Sequence, residues 1–146
     1  MVSCIFLLIS SYFANVSIFS PLTAPILIVQ HLSSHFMDTF ADNLDMECGL
    51  KIRVAKNGEY DQSGHVYTAP RDIHMEISIE NKNPVIKIYK GTPVKFCMPS
   101  IDVLFFSVAK LYRNRAMGII LTGMGSDGVE GLVAIKIGEW KNNCSS

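Results

Sequence analysis

Apolar residues fall along this chain in three rhythms. Two stretches are continuously apolar, residues 25–29 (PILIV) and 117–121 (MGIIL). Runs this short predict strands buried on both faces of a parallel sheet. Other stretches alternate. Residues 51–54 (KIRV) predict a half-buried strand. Residues 75–79 (MEISI) and 85–89 (VIKIY) predict an antiparallel hairpin turning at Asn81-Lys82-Asn83-Pro84. Residues 65–70 (HVYTAP) predict another strand with a proline exit, after a polar turn bounded by Gly58 and Gly64. A helical period appears over 35–44 behind Ser33 or Ser34, and again from Pro99-Ser100 through Ile101, Leu104, Phe105, Val108 and Leu111. It appears a third time at Val129, Leu132, Val133 and Ile135. Buried strands alternating with helices predict an α/β fold. The expected architecture is doubly wound: a mostly parallel sheet with helices on both faces and an inserted antiparallel hairpin.

The first residues follow none of these rhythms. No charge precedes Asp38 and no lysine or arginine precedes Lys51. Residues 1–19 lack the basic start of a signal peptide. Ser3, Ser10, Ser11, Asn15 and Ser17 dilute them below an apolar span of about 20 residues. A core helix packed on the sheet is expected there, with a membrane segment as the alternative. The 146 residues fit a single domain. Residues 1–24 form an atypical apolar segment, 25–136 the regular core and 137–146 a shortened tail.

Charge and cysteine content narrow the function classes. Lysine plus arginine equals aspartate plus glutamate at 13 each, so no electrostatic case exists for nucleic acid or an anionic membrane. The four cysteines, Cys4, Cys48, Cys97 and Cys144, are far apart with no CxxC pairing. They give neither a paired-cysteine zinc motif nor a disulfide framework, and fit a reducing, cytoplasmic setting.

Candidate chemistry sits at two strand ends. Residues 25–31 close on His31, and the run 117–121 breaks into Thr122-Gly123-Met124-Gly125-Ser126-Asp127-Gly128. Open α/β sheets place their sites at such carboxyl ends. Three readings of Asp127 stand side by side. Gly123-x-Gly125-x-x-Gly128 matches a dinucleotide-binding turn, but no acidic residue at the end of a second strand follows, and Asp127 would meet phosphate as like charge. Asp127 caps the helix that begins after it. Or it is a buried carboxylate that orients a catalytic histidine. His31 and His35 have a metal-ligand spacing only if both lie on one helix, and His31 ends a strand. No metal and no cofactor is expected, and no nucleotide. His65 and His74, at strand edges, read as structural or exposed rather than catalytic.

The segments PILIVQHLSSHF, AKNGEYDQSGHVYTAPRDIHMEI, PSIDVLFFSVAK and GIILTGMGSDGVEGLVAIK, in this order and spacing, resemble the catalytic domain of chemotaxis protein-glutamate methylesterases. The resemblance runs from about residue 25 to residue 136. It implies hydrolysis of glutamate methyl esters on the cytoplasmic domains of chemoreceptors, with glutamine deamidation on the same receptors. It also implies a serine, histidine and aspartate triad in that chain order. His31 matches the histidine after the QH strand and Asp127 the aspartate of the GMGxDG turn. The backbone amide of Met124 matches a position beside the oxyanion. At the interval the family keeps ahead of its histidine, this chain has Ser3, Cys4 and Ile5, so Ser3 is the candidate nucleophile. It is followed by Cys4-Ile5-Phe6 rather than by the family's glycines. Met98 stands where the family tends to have arginine and Arg71 where it often has glycine. The family's receiver domain has no counterpart in these residues.

Two function classes follow. One is a methylesterase that acts as a serine hydrolase in two-component signalling. The other is a catalytically dead or fragmentary relative that keeps the fold or the receptor docking without the chemistry. The residues ahead of His31 discriminate them.

Overall fold

The computed structural model describes residues 4–8, 24–31, 51–120 and 125–143. In chain order its elements are β1 (Cys4–Leu8), β2 (Ile26–Ile28), β3 (Lys51–Val54), β4 (Glu59–Tyr60), β5 (His65–Thr68), β6 (His74–Glu80) and β7 (Asn83–Tyr89). Helix α1 (Ile101–Tyr112), a short 3-10 turn, β8 (Ala116–Ile120) and helix α2 (Val129–Asn143) follow.

Five strands form one parallel sheet in the order β3-β5-β2-β1-β8. The continuous run Ile26-Leu27-Ile28 makes β2 an interior strand, buried along its length, as apolar residues on both faces require. β3 alternates exposed and buried because it closes the sheet at one side. β8 differs from the expected buried strand. It is the other edge of the described sheet, and Met117 there is 40% exposed.

The expected helix over the first residues is corrected at Cys4–Leu8. These residues form β1, inserted between β2 and β8 with Leu7 beside Ile28 and Leu8 beside Ile120. The run Cys-Ile-Phe-Leu-Leu is apolar throughout, and in so short a run periodicity cannot separate a buried strand from a helix. A place between two parallel strands decides it. Residues 9–19 and the helix expected over 35–44 lie outside the described residues.

The remaining strands make a second, antiparallel sheet in the order β4-β7-β6. The expected hairpin is present but longer. Its turn is Asn81-Lys82 alone, both with positive φ, and Pro84 lies inside β7 opposite Ile79. The polar turn between Gly58 and Gly64 adds a strand that periodicity missed, because Glu59 and Tyr60 pair with only two residues of β7. Against this sheet lies α1, with Ile101, Leu104, Phe105 and Val108 buried along one face and the Ser107 hydroxyl accepting from the Ile77 amide at 2.9 Å. Leu27, Tyr67, Met75, Ile86, Phe105 and Ile135 join both sheets and both helices in one core.

Glycine sets how closely α2 approaches. A Cβ on Gly131 would stand 2.4 Å from Phe105 Cβ, so only glycine lets the two helices meet there. Gly128 has φ +94 and would collide with Ile101. α2 also runs to Asn143, past the end of the regular core expected at 136. Among the described residues no helix is long and apolar enough to cross a membrane.

Candidate functional site

The strand order reverses next to one edge of the described sheet. From β1 the chain moves to β2 on one side and returns to β8 on the other, so the reversal lies at the β1–β8 boundary. That is where open sheets hold their ligands, outside the carboxyl ends of the strands. His31 follows β2 and Asp127 follows β8, both beyond those carboxyl ends. Their side chains meet, with His31 Nε2 3.4 Å from Asp127 Oδ2. Strands β2 and β8 lie on either side of β1, so the pair reaches across the end of that strand.

Asp127 is held hard. The Ser100 hydroxyl donates to Oδ1 at 2.7 Å, the Ile101 amide to Oδ2 at 2.7 Å and the Asp102 amide to Oδ1 at 3.0 Å. These two amides are among the unpaired donors of the first turn of α1. Asp127 is therefore a helix cap, but of α1, a segment 25 residues earlier, and not of the helix that follows it. A protein carboxylate thus already fills the anion position at this helix start. Burial alone would push Asp127 up. The His31 contact and the three α1 donors outweigh it and hold the carboxyl down, to about 2.

The capping is reciprocal. Asp102, buried in the first turn of α1, accepts from the Gly131 amide in the first turn of α2 at 2.8 Å. Its other oxygen meets Lys95 Nζ at 2.7 Å, and the same ammonium reaches Glu130 at 3.0 Å and the Ser126 carbonyl at 3.2 Å. Each helix start is thus neutralised by a carboxylate from the other's neighbourhood, which fixes the turn carrying Asp127 against α1.

Ser100 has its own support. The Ser100 amide donates to His74 Nδ1 at 3.2 Å, and His74 Nε2 donates to the Thr92 carbonyl at 2.9 Å. A carbonyl can only accept, so His74 carries its hydrogen on Nε2 and offers Nδ1 as acceptor. It is 1% exposed, which agrees with its structural reading, although its partners could not be read from the sequence.

His31 is more open, with its side chain 39% exposed. Its Nε2 lies 2.9 Å from the Pro99 carbonyl, nearer than the carboxylate at 3.4 Å. Both neighbours are acceptors, so Nε2 carries the hydrogen, shared between them, and the lone pair of the neutral ring sits on Nδ1. The Asp127 contact raises the His31 pKa above its ordinary value of 6.5, burial opposes it, and the Pro99 carbonyl adds to the rise. The result is a base held above its ordinary value with one tautomer enforced.

A cavity of about 340 Å³ opens beside the pair, lined by His31, Arg71, Phe96, Cys97 and Met98 among others. Arg71 and Met98, two positions where the sequence departs from the resembled pattern, both face it. Phe96 is fully exposed at its rim, on a turn whose central residues Lys95 and Phe96 have φ +48 and +64. Backbone bonds between Val94 and Cys97, at 2.8 and 3.0 Å, close that turn. Cys97 stands close to both His31 and Asp127. Burial and then the Asp127 charge push its thiol up, which disfavours the thiolate.

Of the four site residues expected from sequence, His31 and Asp127 are brought together. Met124 and Ser3 lie outside the described residues. Cys4, bonded to Ser3, opens β1 at the amino end, and four steps of about 3.3 Å separate it from Leu8 at the carboxyl end. Sequence reasoning missed Ser100, Lys95 and Asp102 as supports, and for His74 it missed the partners. The only signal was Ser100 at a helix start followed by an acid.

Known proteins resemble this chain in sequence and in fold. Residues 13–140 match the family model described as CheB methylesterase. The chain is 48% identical over 122 residues to a protein-glutamate methylesterase/protein-glutamine glutaminase of Enterobacter cloacae, and 46% identical over 122 residues to the protein of that name in Escherichia coli K12. Each alignment covers 82% of this chain and 35% of the relative, so the chain spans about a third of the length of these curated relatives. Its fold is similar to the crystal structure of the Thermotoga maritima CheB methylesterase catalytic domain, with a TM-score of 0.84 and 27% identity. That match covers 95% of this chain and 77% of the other.

Proposed function

We propose, from the premise that this chain belongs to the CheB methylesterase family, that it hydrolyses glutamate methyl esters on chemoreceptor cytoplasmic domains and deamidates glutamine by the same route. The observation that carries this reading is the His31–Asp127 contact at the carboxyl edge of the parallel sheet. Ester hydrolysis needs a nucleophile, a base near neutral pKa and donors for the oxyanion. His31 supplies the base, with its proton on Nε2 and its lone pair on Nδ1, and the Asp127 contact raises its pKa. Asp127 stabilises the imidazolium that forms, and its three α1 donors keep it ionised while it does so.

The nucleophile in this reading comes from the end of β1. The first hydroxyls in the sequence after Leu8 are Ser10 and Ser11. A serine there attacks the ester carbonyl as its proton passes to His31. The proton then leaves with the methoxide as methanol, giving an acyl-enzyme. Water repeats the sequence and releases the glutamate carboxylate. From a glutamine side chain the leaving group is ammonia. Met124, three residues before Asp127 in the sequence, supplies the backbone donor to the oxyanion in this reading. The cavity beside Arg71 and Phe96 receives the glutamyl side chain. The setting is cytoplasmic, where chemoreceptors present their methylation helices.

Methanol release from methylated chemoreceptor is the test. Release that falls by about 10⁴-fold in His31→Ala supports the esterase. Receptor binding with no release above the His31→Ala background would establish the inert relative instead.

A further inference from the structure

One ring nitrogen of His31, the Cys97 sulfur and one Asp127 oxygen all lie within 4.8 Å of one another. They come from three separate segments: the end of β2, the tight turn closed by Val94 and Cys97, and the turn before α2. The set of one imidazole, one thiol and one carboxylate is the donor set that Zn²⁺ takes at tetrahedral sites. Bond lengths of about 2.0 to 2.2 Å to nitrogen and oxygen, at a tetrahedral angle, put those two atoms about 3.4 Å apart. Nε2 and Oδ2 are 3.4 Å apart. The same geometry asks the sulfur to lie about 3.6 Å from each, inside the 4.8 Å that bounds the three ligand atoms, so closing the site takes side-chain movement in which Nε2 also turns from the Pro99 carbonyl now 2.9 Å away. The cavity alongside admits water as the fourth ligand.

We propose that His31, Cys97 and Asp127 form a three-ligand site for a thiophilic divalent cation, Zn²⁺ foremost, and that an ion bound there silences the histidine. The proton balance is definite. The thiol loses its proton to solvent, and the imidazole moves its hydrogen from Nε2 to Nδ1 as the metal takes the Nε2 lone pair. One proton is released per ion bound when the ring starts neutral. With Nδ1 protonated and Nε2 on the metal, His31 has no lone pair left for catalysis. The ion is an inhibitor here, distinct from a resident cofactor. Hard cations are poor occupants, because Mg²⁺ and Ca²⁺ prefer oxygen donors and gain nothing from the sulfur. Ion binding stands independently of the esterase reading, and only its inhibitory consequence rests on that reading.

Binding is measured directly, by competition of the intact chain against a chromophoric zinc chelator, and with Cd²⁺ by thiolate-to-metal charge-transfer absorption. The expected result is one tight Zn²⁺ or Cd²⁺ per chain, with no competition from Mg²⁺. Cys97→Ser is expected to remove the charge-transfer band of that ion. Cys97→Ser and His31→Gln are each expected to weaken binding by at least about tenfold. Circular dichroism matching the parent chain shows that both variants fold. Because the chain has three other cysteines, a band that persists unchanged in Cys97→Ser, or an affinity unmoved by both variants, overturns the site. So does the absence of stoichiometric binding. If the ion binds as described in a chain that hydrolyses no ester, the site stands and the esterase reading falls.

Discussion

His31 and His74 make the same bond in two neighbourhoods with different uses. Each ring places Nε2 2.9 Å from a backbone carbonyl, Pro99 for one and Thr92 for the other. Each therefore carries its hydrogen on Nε2 and presents Nδ1 as acceptor. At His74 the Ser100 amide fills that acceptor in a buried pocket. At His31 the ring is half open, a carboxylate lies 3.4 Å away, and no described residue donates to Nδ1. Identical local chemistry thus yields a structural strut and a candidate base. What separates them is whether the second nitrogen is consumed by the fold. They are also linked, because His74 positions Ser100, Ser100 donates to Asp127, and Asp127 faces His31.

The strongest break of this comparison is at Asp127, which belongs to both halves. Asp127→Ala is expected to lower turnover by about 10⁴-fold. It removes three charge-assisted bonds at the start of α1, so stability is expected to fall by about 2 to 4 kcal/mol, read from urea unfolding midpoints. His31→Ala should lose as much turnover while the midpoint stays within about 0.5 kcal/mol, as for an exposed substitution. Equal stability losses in the two variants would remove the distinction.

His74→Leu tests the other side. It leaves the Ser100 amide without its acceptor in a buried setting, at a cost of about 2 to 3 kcal/mol. Turnover in the folded fraction should fall less than in His31→Ala, because the strut acts only by placing Asp127.

The acid limb of stability sharpens the account of Asp127. Its folded pKa of about 2 lies below the ordinary 3.8, so its contribution is complete above pH 3.8 and is lost as pH falls through 2. The difference amounts to about 2 kcal/mol. Asp127→Asn should flatten this limb in pH-dependent thermal melts.

Much of this arrangement was legible in the sequence, and its failures have physical causes. The runs that became β2, β5 and α1 were read correctly because burial on one or both faces leaves a period. His31 and Asp127 stood out as polar residues at the ends of apolar strands, but each also had a structural reading, and the resemblance to the methylesterase family is what paired them. The capping of α1 by Asp127 was not legible, since a carboxylate followed by a helix reads as the cap of that helix. Nothing local announces a partner 25 residues earlier. The same holds for Lys95, whose charge serves Asp102 and Glu130 together. β1 failed for another reason: an uncharged apolar run offers no contrast from which to read a period.

The smallest effect lies away from the site and serves as a control. Burial raises Asp61 to about 6, against the opposing hydrogen bond from the Tyr112 hydroxyl. A carboxyl raised from 3.8 contributes stability that is complete below 3.8 and is lost as pH rises through about 6. Asp61→Asn should remove this dependence, a difference on the order of 1 kcal/mol after solvent screening, with turnover unchanged.

The central claim is that the His31–Asp127 pair activates a serine delivered by the carboxyl end of β1. A fluorophosphonate probe that phosphonylates activated serines with loss of fluoride, followed by peptide mapping, tests it most directly. The account expects one adduct, at Ser10 or Ser11, absent in His31→Ala and undiminished in Ser3→Ala. An adduct at Ser3, or no adduct on a folded chain, would contradict it.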